Sequence, residues 1–180
     1  MKHLIKFLCG TSLCLLFGCM QQDQQMMQQM EANKVIAKGW WDAFNQKDAA
    51  KVASTYAENA VVTDFGSPKP DSGIAQIQQL WQMYATAFPD AHITFDGETA
   101  HGDMVVLQWH ATGTNTGPMM NMPATNKPID VHGCSVYQIA NGKVVREWSY
   151  WDQAGFMKQL GMMPEPGAQS AGMKKEMKKK

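Results

Sequence analysis

Met104-Val-Val-Leu-Gln-Trp-His-Ala-Thr112, Ile129-Asp-Val-His-Gly-Cys-Ser-Val-Tyr-Gln-Ile139 and Lys143-Val-Val-Arg-Glu-Trp-Ser-Tyr-Trp-Asp152 are three runs in which apolar and polar residues alternate. They are rich in the β-branched and aromatic side chains that suit a pleated, half-buried surface, so each reads as a strand. Asn141-Gly142 separates the last two, and this pair accepts positive φ at both central positions of a type I′ turn. A hairpin follows, and with it a pocket wall.

With Asn141 and Gly142 as the loop, Ala140 faces Lys143, and counting outward sets Val136 opposite Glu147 and His132 opposite Trp151. Period-two alternation then places His132, Cys134, Val136, Glu147, Ser149 and Trp151 on one face. Val131, Gly133, Ser135, Tyr137, Trp148, Tyr150 and Asp152 fall on the other. A one-residue slip reverses the memberships of one strand. Asp152 joins His132 and Glu147 only if its strand bulges or ends there.

Upstream of the hairpin, His92 to Thr99 suits an outer strand, and Ala60 to Phe65 a short early one. The latter ends in Asp64, beside a Pro-, Gly- and Ser-rich loop from Gly66 to Gly73. Between these strands Ile74, Ile77, Leu80, Trp81, Tyr84 and Phe88 recur at spacings of three and four, predicting a helix over 73–88 capped by Ser72 and stopped by Pro89. Glu31 to Gln46 places Ile36, Trp40 and Phe44 on one stripe and reads as a lid helix. Asp48 caps a second short helix through Tyr56. Another short helix is expected over 153–160. Helices segregated from a run of antiparallel strands define an α+β class.

The ends of the chain are different in kind. Met1 to Gly18 carries Lys2 and Lys6 before an apolar run too short for a confident membrane span, the pattern of a signal peptide. Leu16-Phe17-Gly18-Cys19 resembles the bacterial lipoprotein box, which implies lipid on Cys19, anchoring to the membrane, and a place in the cell envelope on the periplasmic or outer-membrane side. Residues 19–30, nearly all Gln and Met, read as a tether. Residues 163–180, with Pro, Gly and a Lys-rich end, read as a disordered tail. One domain remains over 31–162, with nine Lys or Arg against thirteen Asp or Glu. That mild acidity argues against a nucleic-acid partner. Within the domain Cys134 is the lone cysteine, so no internal disulfide is expected.

Ala87-Phe-Pro-Asp90, Gly113-Thr-Asn-Thr-Gly117, Met122-Pro-Ala-Thr125, Asn141-Gly-Lys-Val-Val-Arg-Glu-Trp148, Tyr150-Trp-Asp-Gln153 and Gln159-Leu-Gly161 occur in that order. Together they resemble the SnoaL-like polyketide or ester cyclases of the nuclear transport factor 2-like superfamily, over about Asn33 to Met163. The resemblance implies a cone-shaped, curved antiparallel sheet with helices packed on its concave face, an interior for a small apolar ligand, and a homodimer. It also implies ring closure by aldol chemistry with no metal or organic cofactor, or a related double-bond shift. By the same resemblance His132 matches a frequent pocket histidine, and Glu147 or Asp152 falls where the acid/base carboxylate is supplied. Asn115 stands where the Gly-Thr-His-Thr-Gly form often has histidine.

The residue chemistry is compatible with proton transfer at carbon, which needs a base near neutral pKa, a donor for the enolate oxygen and a dry cavity. Glu147 or Asp152 among tryptophans and Tyr150 supplies the carboxylate, raised by desolvation. His132 or Tyr150 supplies the donor. Trp40, Trp81 and Met119 are expected to line the apolar wall, with Asp64 at its rim as a further contact. His92, His101 and His110 show no helical pair or clustered spacing, so no metal site is expected. No phosphate-binding loop, cysteine pair or nucleophile elbow is present in the sequence. Two classes stay open: a cofactor-free cyclase or isomerase, and a noncatalytic small-molecule-binding lipoprotein with the same pocket.

Overall fold

Three helices lead into the sheet: α1 (Leu8–Ala37), α2 (Gly39–Gln46) and α3 (Ala49–Thr55). Then come β1 (Tyr56–Asp64), β2 (Asp71–Ser72), α4 (Ile74–Ala87), β3 (His92–His101), β4 (Met104–Thr114), β5 (Pro128–Ala140), β6 (Lys143–Trp151) and α5 (Gln153–Gln159). This computed structural model describes residues 8–65, 67–119 and 122–163, with side-chain surroundings from Met20 onward. The first seven residues of the expected leader, the Cys19 side chain and residues 164–180 of the expected tail lie outside the described residues. Among the described residues no helix is long and apolar enough to cross a membrane.

The expected lid helix divides at Lys38, where α1 gives way to α2. A side chain on Gly39 would meet the Thr55 hydroxyl at 2.1 Å, so only glycine lets α2 press against the end of α3. Asp48 caps α3 as expected, its Oδ1 accepting from the Ala50 N–H at 3.0 Å. Ser72 does not cap α4. It belongs to β2, and Gly73 occupies the cap position with φ of 83°. The stretch read as a tether is helical, with its side chains exposed over residues 20–29.

The six strands form one curved, unclosed sheet in the order β2-β1-β6-β5-β4-β3. Neighbours from β3 to β6 pair antiparallel, whereas β1 runs parallel to β6, with Val62 beside Glu147. The sheet is therefore mixed rather than wholly antiparallel, within the α+β class. Helices α2, α4 and α5 cover its concave side, and the core between them includes Phe44, Ile77, Val105, Leu107, Val144 and Leu160.

Register in the β5–β6 hairpin decides which polar groups look inward. Asn141 and Gly142 take φ of 52° and 71°, the left-handed values the turn requires, and Ala140 faces Lys143. Ile139 then pairs with Val144, but Gln138 pairs with Arg146, so Val145 is an extra residue on β6. This bulge moves Glu147 from the expected partner Val136 to Tyr137. Ser149 accordingly faces Ser135, and Trp151 faces Gly133. The inner face thus combines Val131, Ser135 and Tyr137 of β5 with Glu147, Ser149 and Trp151 of β6.

Candidate active site

A cavity of about 120 Å³ lies between the concave sheet and α2, α4 and α5. On the same measure one water needs roughly 10–15 Å³, so the space suits a small organic molecule. Its walls are apolar: Trp40, Trp41 and Phe44 from α2, Leu80 from α4, Ile93 from β3 and Val131 from β5 are among the lining residues. Gly133 permits this aromatic lining, because a side chain there would fall 2.1 Å from the Trp109 ring. Trp109 lies over that gap and packs against Trp41 with ring centroids 4.5 Å apart.

One small polar network interrupts the apolar wall. Glu147 is 5% exposed, and the Tyr56 hydroxyl donates to its Oε2 at 2.5 Å. Trp41 Nε1 donates to the Tyr137 hydroxyl at 2.8 Å, Trp109 Nε1 donates to Ser135 Oγ at 3.1 Å, and the Ser135 and Ser149 hydroxyls lie 3.0 Å apart. Each member of this network has a partner, as a low-dielectric site requires.

Electrostatics follow from that enclosure. Burial pushes the Glu147 carboxyl up from its usual 4.5 to about 7. Hydrogen bonds from Tyr56, Ser135 and Tyr137 pull it down, and the nearby charge of Asp64 pushes it up. Burial, with Glu147 alongside, pushes the Tyr56 and Tyr137 phenols well up, so both remain donors. Tyr84, also in the lining, is raised by burial first and then by Asp64 and Asp71.

The expected site residues divide sharply. Glu147, Asp64 and Trp40 line the cavity, and Asp64 accepts from Trp151 Nε1 at 3.0 Å. His132 does not. The bulge leaves it on the outer face, with its side chain 65% exposed and Nδ1 lying 3.2 Å from Asp96 Oδ2. Tyr150 shares that face, 48% exposed and stacked on Phe65 with centroids 4.6 Å apart. Asp152 has left the strand: it caps α5, its Oδ1 accepting from the Gly155 N–H at 2.8 Å. Trp81 is buried against Phe44, and Met119 is buried in a bridge with Met122; neither lines this cavity.

Tyr56, Tyr84, Tyr137, Ser135 and Ser149 were not foreseen as site residues. For Ser135 and Tyr137 the signal was present in the alternation of β5, and the bulge hid which β6 residues they meet. Tyr56 had been read as a helix end because Val52 and Tyr56 are four apart, yet it opens β1. Asn115, where family members often carry histidine, is fully buried and holds loops together. Its Nδ2 donates to Gly117 O at 2.9 Å and its Oδ1 accepts from Thr125 N at 2.8 Å.

The sequence pattern of the SnoaL-like polyketide cyclase family matches residues 34–160. Solved structures with the same fold include a protein from Jannaschia Sp. CCS1, provisionally described as a SnoaL-like polyketide cyclase, at 20% identity and TM-score 0.67. The match covers 75% of this chain and 95% of that one. AclR from Streptomyces galilaeus, provisionally described as a hydroxylase, is 23% identical with TM-score 0.66 over 75% of this chain and 99% of its own. IdmH from Streptomyces antibioticus, provisionally described as a polyketide cyclase, is 23% identical with TM-score 0.61 over 72% and 98%. No curated protein matches the chain.

Proposed function

Because the chain belongs to the SnoaL-like polyketide cyclase family, we propose that its cavity performs cofactor-free acid/base chemistry on a small apolar ketone, with Glu147 as the general base. The observation that carries this reading is a buried carboxyl, pushed up to about 7, on the floor of a mainly apolar cavity and held by a phenol at 2.5 Å. A base of that strength is half ionised near neutral pH, where proton abstraction from carbon is most favoured.

In the step so proposed, ionised Glu147 removes a proton from the carbon beside the substrate carbonyl. The C–H electron pair becomes the enolate, whose oxygen is stabilised by the hydroxyl of Tyr84 or Ser149, both in the lining. In a cyclase the enolate carbon then attacks a second carbonyl of the same molecule, forming the ring bond. The proton on Glu147 passes to the new alkoxide. An isomerase returns it to a different carbon. Tyr56 fixes Oε2 of the base, and the indoles of Trp40, Trp41 and Trp109 exclude water.

Lipid on Cys19 and a place in the bacterial cell envelope belong to the same proposal, supported by the sequence of the leader alone, as does assembly into a homodimer. Labelling with a radioactive fatty acid in a bacterial host, comparing the native chain with Cys19→Ala, tests the anchor.

The reaction is tested by exchange of α-protons in a panel of small cyclic and aryl ketones in D2O, followed by NMR. Binding is read in parallel from quenching of tryptophan fluorescence. Exchange by the native protein and its loss in Glu147→Gln, with binding retained, is the expected result. Binding without any exchange would leave a noncatalytic small-molecule binder.

A further inference from the structure

The outer face of the sheet carries a polar grouping that the proposed reaction does not use. His110 of β4 stands directly opposite His132 of β5, and Asp130 lies two residues before His132, hence on the same face. His110 Nε2 is 2.9 Å from Asp130 Oδ1, and His132 Nε2 is 3.7 Å from that same oxygen. The three candidate ligand atoms all lie within 4.8 Å of one another.

We propose that His110, His132 and Asp130 form a surface site for a divalent transition-metal ion of the zinc type, with water completing the coordination. Donors held tetrahedrally at about 2.0–2.2 Å from such an ion are roughly 3.3–3.5 Å apart. The two nitrogen-to-carboxylate spacings, 2.9 and 3.7 Å, straddle that value. Two imidazoles and a carboxylate are the donor types that zinc, nickel and copper prefer, whereas magnesium and calcium select all-oxygen sites.

What surrounds these three residues supports the assignment. Asp96 Oδ2 lies 3.2 Å from His132 Nδ1, placed to accept a proton from Nδ1 when Nε2 ligates an ion. Asp96 reaches this position because it is the extra residue of a bulge in β3, between the pairs Phe95–Trp109 and Gly97–Gln108. The Asp130 backbone is fixed from below by the Gln159 side chain, which accepts from its N–H at 2.6 Å and donates to its carbonyl at 2.8 Å. Both Nε2 atoms approach the same Asp130 oxygen, but the two imidazole rings are stacked 4.1 Å apart and within 7° of parallel, so one ring turns about its Cβ–Cγ bond to bring both in-plane lone pairs onto one ion. Asp96 and Asp130 together bring two negative charges to a divalent ion.

Spacing along the chain conceals this site. It needs His110 and His132 to be partners across two strands, which becomes evident only once the β4–β5 register is known.

The test is calorimetric titration of zinc chloride into the full chain carrying no affinity tag, with magnesium chloride as the control. One zinc ion per chain and no magnesium heat are expected. His110→Ala and His132→Ala should each weaken binding at least ~100-fold, and Asp96→Asn roughly 10-fold, as loss of a partner behind a ligating histidine does. Absence of saturable one-to-one zinc binding overturns the proposal. So does zinc binding of native strength in the His110→Ala/His132→Ala double variant, which would place the ion elsewhere in the chain. Should that variant not fold, cobalt(II) added to the native chain decides: an intense visible band of four-coordinate cobalt supports the site, and its absence overturns it.

Discussion

The inner and outer faces of the β4–β5–β6 sheet carry the same kinds of side chain, carboxylates beside hydrogen-bonding rings, yet water makes them chemically different. Inside, Glu147 is 5% exposed and its carboxyl is pushed up to about 7. Outside, the Asp130 and His132 side chains are 68% and 65% exposed. A carboxylate removed from water becomes a proton acceptor of useful strength; one left in water remains a ligand for cations. Successive residues on a strand receive opposite fates, so a single bulge decides which chemistry each polar residue can serve.

The largest effect is expected where the inner face is broken at its base. Glu147→Gln keeps shape and an acceptor for the Tyr56 hydroxyl but cannot take a proton, so ketone exchange should fall by about 10²–10⁴-fold, the range for losing a positioned base. Exchange that survives the change intact would remove Glu147 from the reaction. In the native protein the same exchange should rise with pH through a midpoint near 7.

The second effect separates the faces by stability. Glu147 titrates near 7 when folded and near its usual 4.5 when unfolded, so between those values the folded state binds more protons. The contribution of Glu147 to stability is therefore greatest below about 4.5 and declines as pH rises to about 7. Glu147→Gln should abolish that decline and leave the variant up to about 3 kcal/mol more stable than native at pH 8, with no such gain at pH 4. Urea unfolding at several pH values measures it. A flat native profile would show that Glu147 is not held in a dry site.

Tyr56→Phe is a smaller perturbation of the same contact. It removes the donor that pulls the carboxyl down, so the midpoint of the exchange profile should move upward, and stability should fall by about 1–3 kcal/mol because a buried carboxylate loses its partner. An unmoved midpoint would mean that the phenol only fills space.

How far the sequence discloses these differences depends on the range of the interaction. Alternation in β4, β5 and β6, the Asn141-Gly142 turn and the Asp48 cap are local, and each was legible from a few neighbouring residues. Glu147 was legible only as one of two candidate carboxylates, with Asp152, and its companions were not. Counting by twos from the turn cannot detect Val145 as an extra residue, since a bulge is settled by how β6 fits both β5 and β1. That count, together with the family resemblance, placed His132 beside Glu147. Tyr56 and Glu147 are 91 residues apart, and no pattern in either segment announces their contact.

The smallest effect concerns Asp152, for which the two faces offer competing explanations. A carboxylate two residues after Tyr150 invites a catalytic role, but its Oδ1 accepts from the Gly155 N–H as the cap of α5. Asparagine caps about as well as aspartate, while alanine cannot cap. Asp152→Asn should therefore leave both exchange and stability near native, and Asp152→Ala should lose about 1 kcal/mol with exchange per folded molecule unchanged. A base has the opposite signature: Asp152→Asn would abolish exchange with the fold intact. That result would move the proton transfer from the buried floor of the cavity to the end of β6.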